Sequence, residues 1–151
     1  MIEKYLSSER VVFFEAGLHK QQALAKLMDV TVSSASIVDA AKFRNGILER
    51  ENILSTGLGR GIAVPHTYSD AIKDIVVTVG VSCSGISDYG SSMDDKPVHF
   101  IIMVAAGSHQ HTEYLQILAN ISLLGKDENI RTALLAARTA EEVIAAFSNM
   151  K

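Results

Sequence analysis

Apolar residues along this chain follow two rhythms, and the switches between them outline its elements. Val11-Val12-Phe13-Phe14 is a β-branched and aromatic run that predicts a short extended segment. From Lys20 the spacing changes. Ala23, Leu24, Leu27 and Met28 recur at three and four residues, the period of a helix. A second helix is predicted with Ser36 or Asp39 as its cap and with Ile37, Ala40, Ala41, Ile47 and Leu48 on its apolar face; Asn45-Gly46 weakens the pattern at its middle. Ser55 to Gly61 reads Ser-Thr-Gly-Leu-Gly-Arg-Gly, irregular backbone that must bend or approach something closely. Ile62-Ala63-Val64 predicts a short strand stopped by Pro65. Ile75 to Val81 and Val98 to Val104 are apolar on both faces, as central strands covered by helices on each side are. The polar stretch Ser82 to Pro97 between them reads as a surface loop or short hairpin.

The last third is helical in pattern. Leu115, Ile117, Leu118, Ala119, Ile121 and Leu124 mark one amphipathic helix that Gly125 ends. Asp127 is placed to cap a short helix through Ala137, and Thr139-Ala-Glu-Glu142 has the form of a capping box opening a final helix to Phe147. The order predicts a mixed α/β fold over a single domain, residues 1–151, with helices packed on a sheet of about four to five strands. No internal repeat or low-complexity segment interrupts it.

Composition narrows the functional classes. The 151 residues are 48% hydrophobic and 21% charged, the balance of a globular chain. A formal net charge of −3 gives no basic excess for nucleic acid or an anionic membrane. The longest apolar run, Phe100 to Ala106, falls far short of the roughly 20 residues a spanning helix needs, and Met1 to Arg10 lacks the apolar run of a signal peptide. The one cysteine, Cys83, has no partner for a disulfide. A cytoplasmic protein without membrane insertion is the expectation.

The richest chemistry lies between Leu48 and His66. Arg50 closes a helix, the glycine-rich bend follows, and His66 comes directly after Pro65 at a strand end. Pro65 fixes its own φ and restricts Val64, so the imidazole is delivered from stiff backbone. A neutral imidazole is a nucleophile available near pH 7, and a guanidinium can brace phosphoryl oxygens with parallel donors. Thr56 and the N–H groups of the glycine bend are candidates for further, neutral donors. Gly-Leu-Gly-Arg-Gly is neither a dinucleotide fingerprint nor a P-loop, because the spacing differs, no Lys-Ser/Thr follows, and a strand comes next.

Taken together, Arg50-Glu51, Ser55-Thr56-Gly57-Leu58-Gly59 and Gly61-Ile62-Ala63-Val64-Pro65-His66 resemble the signature of the fructose/mannitol/nitrogen-regulatory EIIA family of the phosphoenolpyruvate-dependent phosphotransferase system. The resemblance continues through Asp94-Asp95-Lys96-Pro97-Val98 and the leucine-rich helix from Tyr114, so it covers nearly the whole chain. It implies a mixed sheet sandwiched between helices. It implies that phosphorylated HPr donates to His66, and that the phosphoryl group then passes to an EIIB domain or signals to a regulatory target protein. Arg50 matches the arginine beside the phosphoacceptor. No metal or organic cofactor is implied. The family's second histidine, in a His-Leu-x-x-Leu context, is replaced here by Tyr114; His111, three residues earlier, is the other candidate for its place.

Other residues read more plainly. His109-Gln110-His111 would bind metal only with a third ligand such as His66, as a metal-dependent hydrolase would require. His99 reads as a surface or hydrogen-bonded structural residue, and Cys83 as a partly buried thiol. Leu58, Ile62 and Val64 are candidates for a docking surface or for the core beneath it.

Overall fold

The computed structural model describes residues 2–91 and 93–149. Two 3-10 turns, Ile2–Tyr5 and Ser8–Arg10, precede strand β1 (Val11–Phe13). Helices α1 (Lys20–Val32) and α2 (Ala40–Ile53) follow. The chain then lays down β2 (Gly57–Gly59), β3 (Ile62–Ala63), β4 (His66–Ser69), β5 (Val76–Ile86) and β6 (Val98–Gly107). It ends with α3 (His111–Leu124), α4 (Glu128–Ala136) and α5 (Ala140–Ser148).

The sheet is mixed, with order β1-β5-β6-β3-β2 and β4 as a further partner of β6. Strands β5 and β6 form its antiparallel centre, with Val79 opposite Ile102 and Val77 opposite Val104. Alternation along them feeds two cores. Val77, Val79, Val81, Phe100, Ile102 and Val104 face α3, α4 and α5. Val76, Ile101, Met103 and Ala105 face Leu24, Leu27, Phe43 and Ile47 of α1 and α2. A layer of helices on each side is what strands apolar on both faces require.

The sheet has six strands, more than the pattern of the sequence suggested. The extra pairing comes from residues after Pro65. Ile62 and Ala63 run parallel to Phe100 and Ile101, and His66 to Ser69 run parallel to Val104 to Gly107 along the same edge of β6. Pro65 therefore interrupts a strand rather than ending it. It has no N–H to give to a ladder, but its carbonyl accepts from Val104 N at 3.0 Å and keeps the chain on the edge. Strand β5 also runs on to Ile86, five residues beyond the predicted end, which shortens the expected loop.

Glycines 59 and 61 flank a tight turn. Gly59, Arg60 and Gly61 all have positive φ, 79°, 56° and 82°. Arg60-Gly61 is thus a two-residue hairpin loop with φ positive at both positions, which suits the twist of the β2–β3 pair. Arg60 carries the cost of a left-handed conformation without being glycine.

Helix caps follow local sequence closely. Asp39 caps α2 by accepting from Lys42 N, Asp127 caps α4, and Thr139 Oγ1 accepts from Glu142 N to open α5. Gly125 follows α3 with φ of −59°, so it ends the helix without the left-handed turn. The apolar face of α2 differs from expectation. Ala40 and Ala41 are exposed and Ile37 lies before the helix in a bridge to Ile72, while Phe43, Ile47 and Glu51 are buried. Gly46 has a packing role: a Cβ there would sit 2.5 Å from Thr67 Oγ1. Its lack of a side chain lets α2 approach β4.

Gly46→Ala offers a test of that approach. In an exposed helix the change would stabilise by about 1 kcal/mol. Here it is expected to destabilise by about 1–3 kcal/mol through overpacking. Thermal or urea denaturation should show the loss, and Thr67→Ala in the same background should recover part of it.

Candidate functional site

The C-terminal end of α2, the β2–β3 hairpin, the start of β4 and α3 enclose an open cavity of about 560 Å³ at the edge of the sheet. His66, Arg50, Arg60 and Lys126 line it, and no carboxylate does among the described residues.

His66 reaches the cavity from the first residue of β4 and is partly exposed. Its Nδ1 lies 2.6 Å from the carbonyl oxygen of Val64, two residues back across Pro65. A carbonyl only accepts, so Nδ1 carries the proton and donates it there. Nε2 is left with its lone pair. Partial burial is the first cause that holds the ring's pKa below its ordinary 6.5, and the charge of Arg50 adds to it; the bond to Val64 opposes both. The imidazole is therefore neutral at pH 7.

Arg50 occupies the last turn of α2, where a positive charge is favoured by the helix dipole. Its Nη1 donates to the carbonyl of Leu54 at 2.8 Å. Among the described residues it makes no ion pair, so its charge is not spent on a carboxylate. The adjacent Glu51 points elsewhere. That carboxylate is buried and accepts from Thr56 N at 3.0 Å and Thr56 Oγ1 at 2.6 Å, and pairs with Lys20 Nζ at 3.0 Å. Tyr89 completes the cluster, its hydroxyl 3.1 Å from Thr56 Oγ1 and its ring 4.5 Å beneath Lys20 Nζ. Burial pushes the Tyr89 phenol far up, so it stays protonated.

This geometry corrects the expectation for Thr56. It lines the cavity, but its N–H and its hydroxyl are both committed to Glu51, so neither is a free donor to a phosphoryl group. Thr56 instead fixes the wall that holds Arg50 and the glycine bend. The two candidates for the second-histidine position also separate. Tyr114, in the first turn of α3, is buried with its ring 5.9 Å from that of His66. His111 is exposed at the start of the helix and packs on Tyr68 at 5.2 Å, while Tyr68 packs on Tyr114 at 5.1 Å. Two tyrosines thus stand between His111 and His66. Burial raises the Tyr114 phenol to about 12, so its hydroxyl is neutral.

Several residues near the site were missed by sequence reasoning. Glu51 appeared only as the neighbour of Arg50, and Tyr68, Tyr89 and Lys20 drew no notice. Their roles depend on partners between 5 and 69 positions away, which no local pattern signals. Leu58 is exposed at the cavity mouth, whereas Ile62 and Val64 are core. Cys83 is exposed rather than partly buried. His99 donates through Nδ1 to the carbonyl of Ser82 at 2.8 Å. No group of three or more His, Cys, Asp or Glu able to hold a metal occurs among the described residues.

The α/β fold thus brings a neutral histidine at the start of β4 and a guanidinium without a carboxylate partner to one cation-lined cavity. Comparison with known sequences makes this specific. Residues 4–150 match the family described as phosphoenolpyruvate-dependent sugar phosphotransferase system, EIIA 2, and the chain belongs to that family. It is 33% identical over 135 residues to the fructose-specific EIIA component of Haloferax volcanii, covering 89% of this chain and 86% of that protein. It is 31% identical over 125 residues to the fructose-specific EIIABC component of Bacillus subtilis; the match covers 83% of this chain and only 19% of that longer protein. The fold matches that of nitrogen regulatory protein IIA-Ntr from Neisseria meningitidis, with a TM-score of 0.84, 24% identity, and coverage of 97% and 98% of the two chains.

Titration of the His66 ring by NMR should give a midpoint below 6.5. Arg50→Gln should move it upward, because a cation that disfavours protonation is gone. The folded-state pKa lies below the unfolded one, so the unfolded chain binds the extra proton first. The contribution of this ring to stability is then complete above the unfolded value, near 6.5, and is lost as pH falls from there through the folded value.

Proposed function

We propose that residues 1–151 form one EIIA domain that works as a cytoplasmic phosphocarrier, with His66 as phosphoacceptor. The observation that carries this reading is the pairing of a free Nε2 on a neutral imidazole with a cavity lined by Arg50, Arg60 and Lys126 and by no carboxylate. The family relationship adds the donor and acceptor classes: an HPr-like phosphoprotein upstream and an EIIB domain downstream.

The chemistry balances without a cofactor. The Nε2 lone pair forms a bond to phosphorus, while the phosphorus–nitrogen bond of the donor breaks and its electron pair returns to the donor imidazole. Nδ1 keeps its proton throughout and donates it in a hydrogen bond to the Val64 carbonyl, which holds the tautomer and the direction of attack. Charge on the transferring oxygens develops beside Arg50, whose position on Leu54 is set before substrate arrives. In the second transfer a cysteine thiolate of EIIB forms a sulfur–phosphorus bond while the phosphorus–Nε2 bond breaks and its electron pair returns to the His66 imidazole. Tyr114 stands beside His66 as a neutral hydroxyl where the family's second histidine is expected. It positions the imidazole by ring contact, and His111 lies outside that contact.

Both partners are proteins, and the surface suits transient docking. Leu54 is 56% exposed and Met93 72% exposed at the cavity mouth, with Leu58 beside them. An apolar rim around a charged centre supplies contact area without a permanent interface. Tyr114 also favours a second reading, a regulatory EIIA module that signals by its phosphorylation state to a target protein. The two readings divide on how fast the group leaves for an EIIB cysteine.

Incubation with phosphoenolpyruvate and the upstream phosphorylation proteins should add one phosphate by intact mass, labile in acid. His66→Ala should remain unlabelled; equal labelling of that variant would falsify the assignment. Arg50→Gln should slow phosphorylation about 100-fold, the order seen when one charge-stabilising donor is removed. Tyr114→His should speed transfer to an EIIB domain if transport is the role, and leave it unchanged if the transport reading is wrong.

A further inference from the structure

A second cleft adjoins the β2–β3 hairpin. Its volume is about 300 Å³, and Arg60, Gly61, Lys96, Pro97, His99 and Arg131 line it. Three permanent cations thus meet in one concavity of a chain whose net charge is −3. No carboxylate lines it among the described residues. Asp94, beside the hairpin, accepts from Arg60 N at 2.8 Å and Lys96 N at 3.2 Å, and its charge offsets part of that of Lys96 and Arg60.

The cations are placed by structure rather than gathered by chance. Arg60 Nη1 donates to the carbonyl of Gly125 at 2.9 Å, and Arg131 Nη1 donates to the same oxygen. Two guanidinium groups therefore share one acceptor and are held close despite their like charge. Arg60 is held there from a left-handed backbone conformation that non-glycine residues rarely adopt. His99 fixes its ring by donating from Nδ1 to Ser82, which leaves Nε2 for another partner. Repulsion among these groups is relieved by an anion with several acceptor oxygens.

We infer that this cleft is a binding site for a compact phosphate-type oxyanion, separate from the cavity of His66. Its size admits inorganic phosphate or the phosphate end of a small monoester. Arg60 lines both cavities, so an occupant here adjoins the wall of the first site without entering it.

Amide and histidine-ring spectra of the full chain, titrated with inorganic phosphate and separately with glycerol 3-phosphate, test this. Sodium chloride at matched ionic strength is the control. Saturable shifts are expected at Gly61, Lys96, Arg131 and the His99 ring. A tighter response to the monoester identifies a metabolite as the source, and an equal response identifies free phosphate; both support the site. Lys96→Gln with Arg131→Gln should weaken the response at least about tenfold, while His66→Ala should leave it intact. Lys96→Gln alone, at an exposed side chain, serves if the double variant fails to fold. Shifts confined to His66 and Gly57, or no saturation beyond the chloride control, would overturn the inference.

Discussion

The carboxylate of Glu51 sits where an unpaired charge would cost several kcal/mol. It is tolerated because Lys20 at the start of α1 and both donors of Thr56 close on it, with Tyr89 beside them. The first helix, the second helix and the glycine bend are thereby tied at one point. The register of α2 that turns Glu51 inward also decides where Arg50 goes. Successive helical residues point about 100° apart, so burying the acid sends the neighbouring guanidinium out to the cavity. A buried ion pair and a guanidinium on the cavity wall are two outcomes of the same rotation.

The histidine is set by a different constraint. Residues 62 to 69 run along one edge of β6 in two paired segments, and Pro65 stands at the break between them. The interruption frees the Val64 carbonyl to receive the Nδ1 proton, while the Pro65 carbonyl stays on the ladder. A continuous strand would have given the Val64 oxygen a backbone partner or a different direction. The proline therefore contributes through what surrounds it as much as through its own fixed φ.

What was legible in the sequence was what is local or strongly periodic. The two central strands, the caps at Asp39, Asp127 and Thr139, and the helical last third needed only nearest neighbours. Strand β4 was not legible, because His66-Thr67-Tyr68-Ser69 is polar and becomes a strand only where β6 offers an edge. Gly46 read as a flaw in a helix, since its reason is Thr67, twenty-one residues away. Thr56 was read as a donor to the site from its residue type, and its real partner is a buried acid in the preceding helix. His66 and Arg50 stood out mainly through the family resemblance. Bare spacing places them 16 residues apart and says nothing of the shared cavity that holds them.

Arg50 is anchored on Leu54, and the ring of His66 on Val64, before any group is transferred. On the proposed chemistry neither anchor needs to break when phosphate arrives. The loaded and empty forms would then have almost the same outline and differ chiefly in how positive the potential is at the cavity mouth. A partner that must choose between them has little shape to read. It must weigh charge, and its preference should fade as added salt shortens the reach of that field.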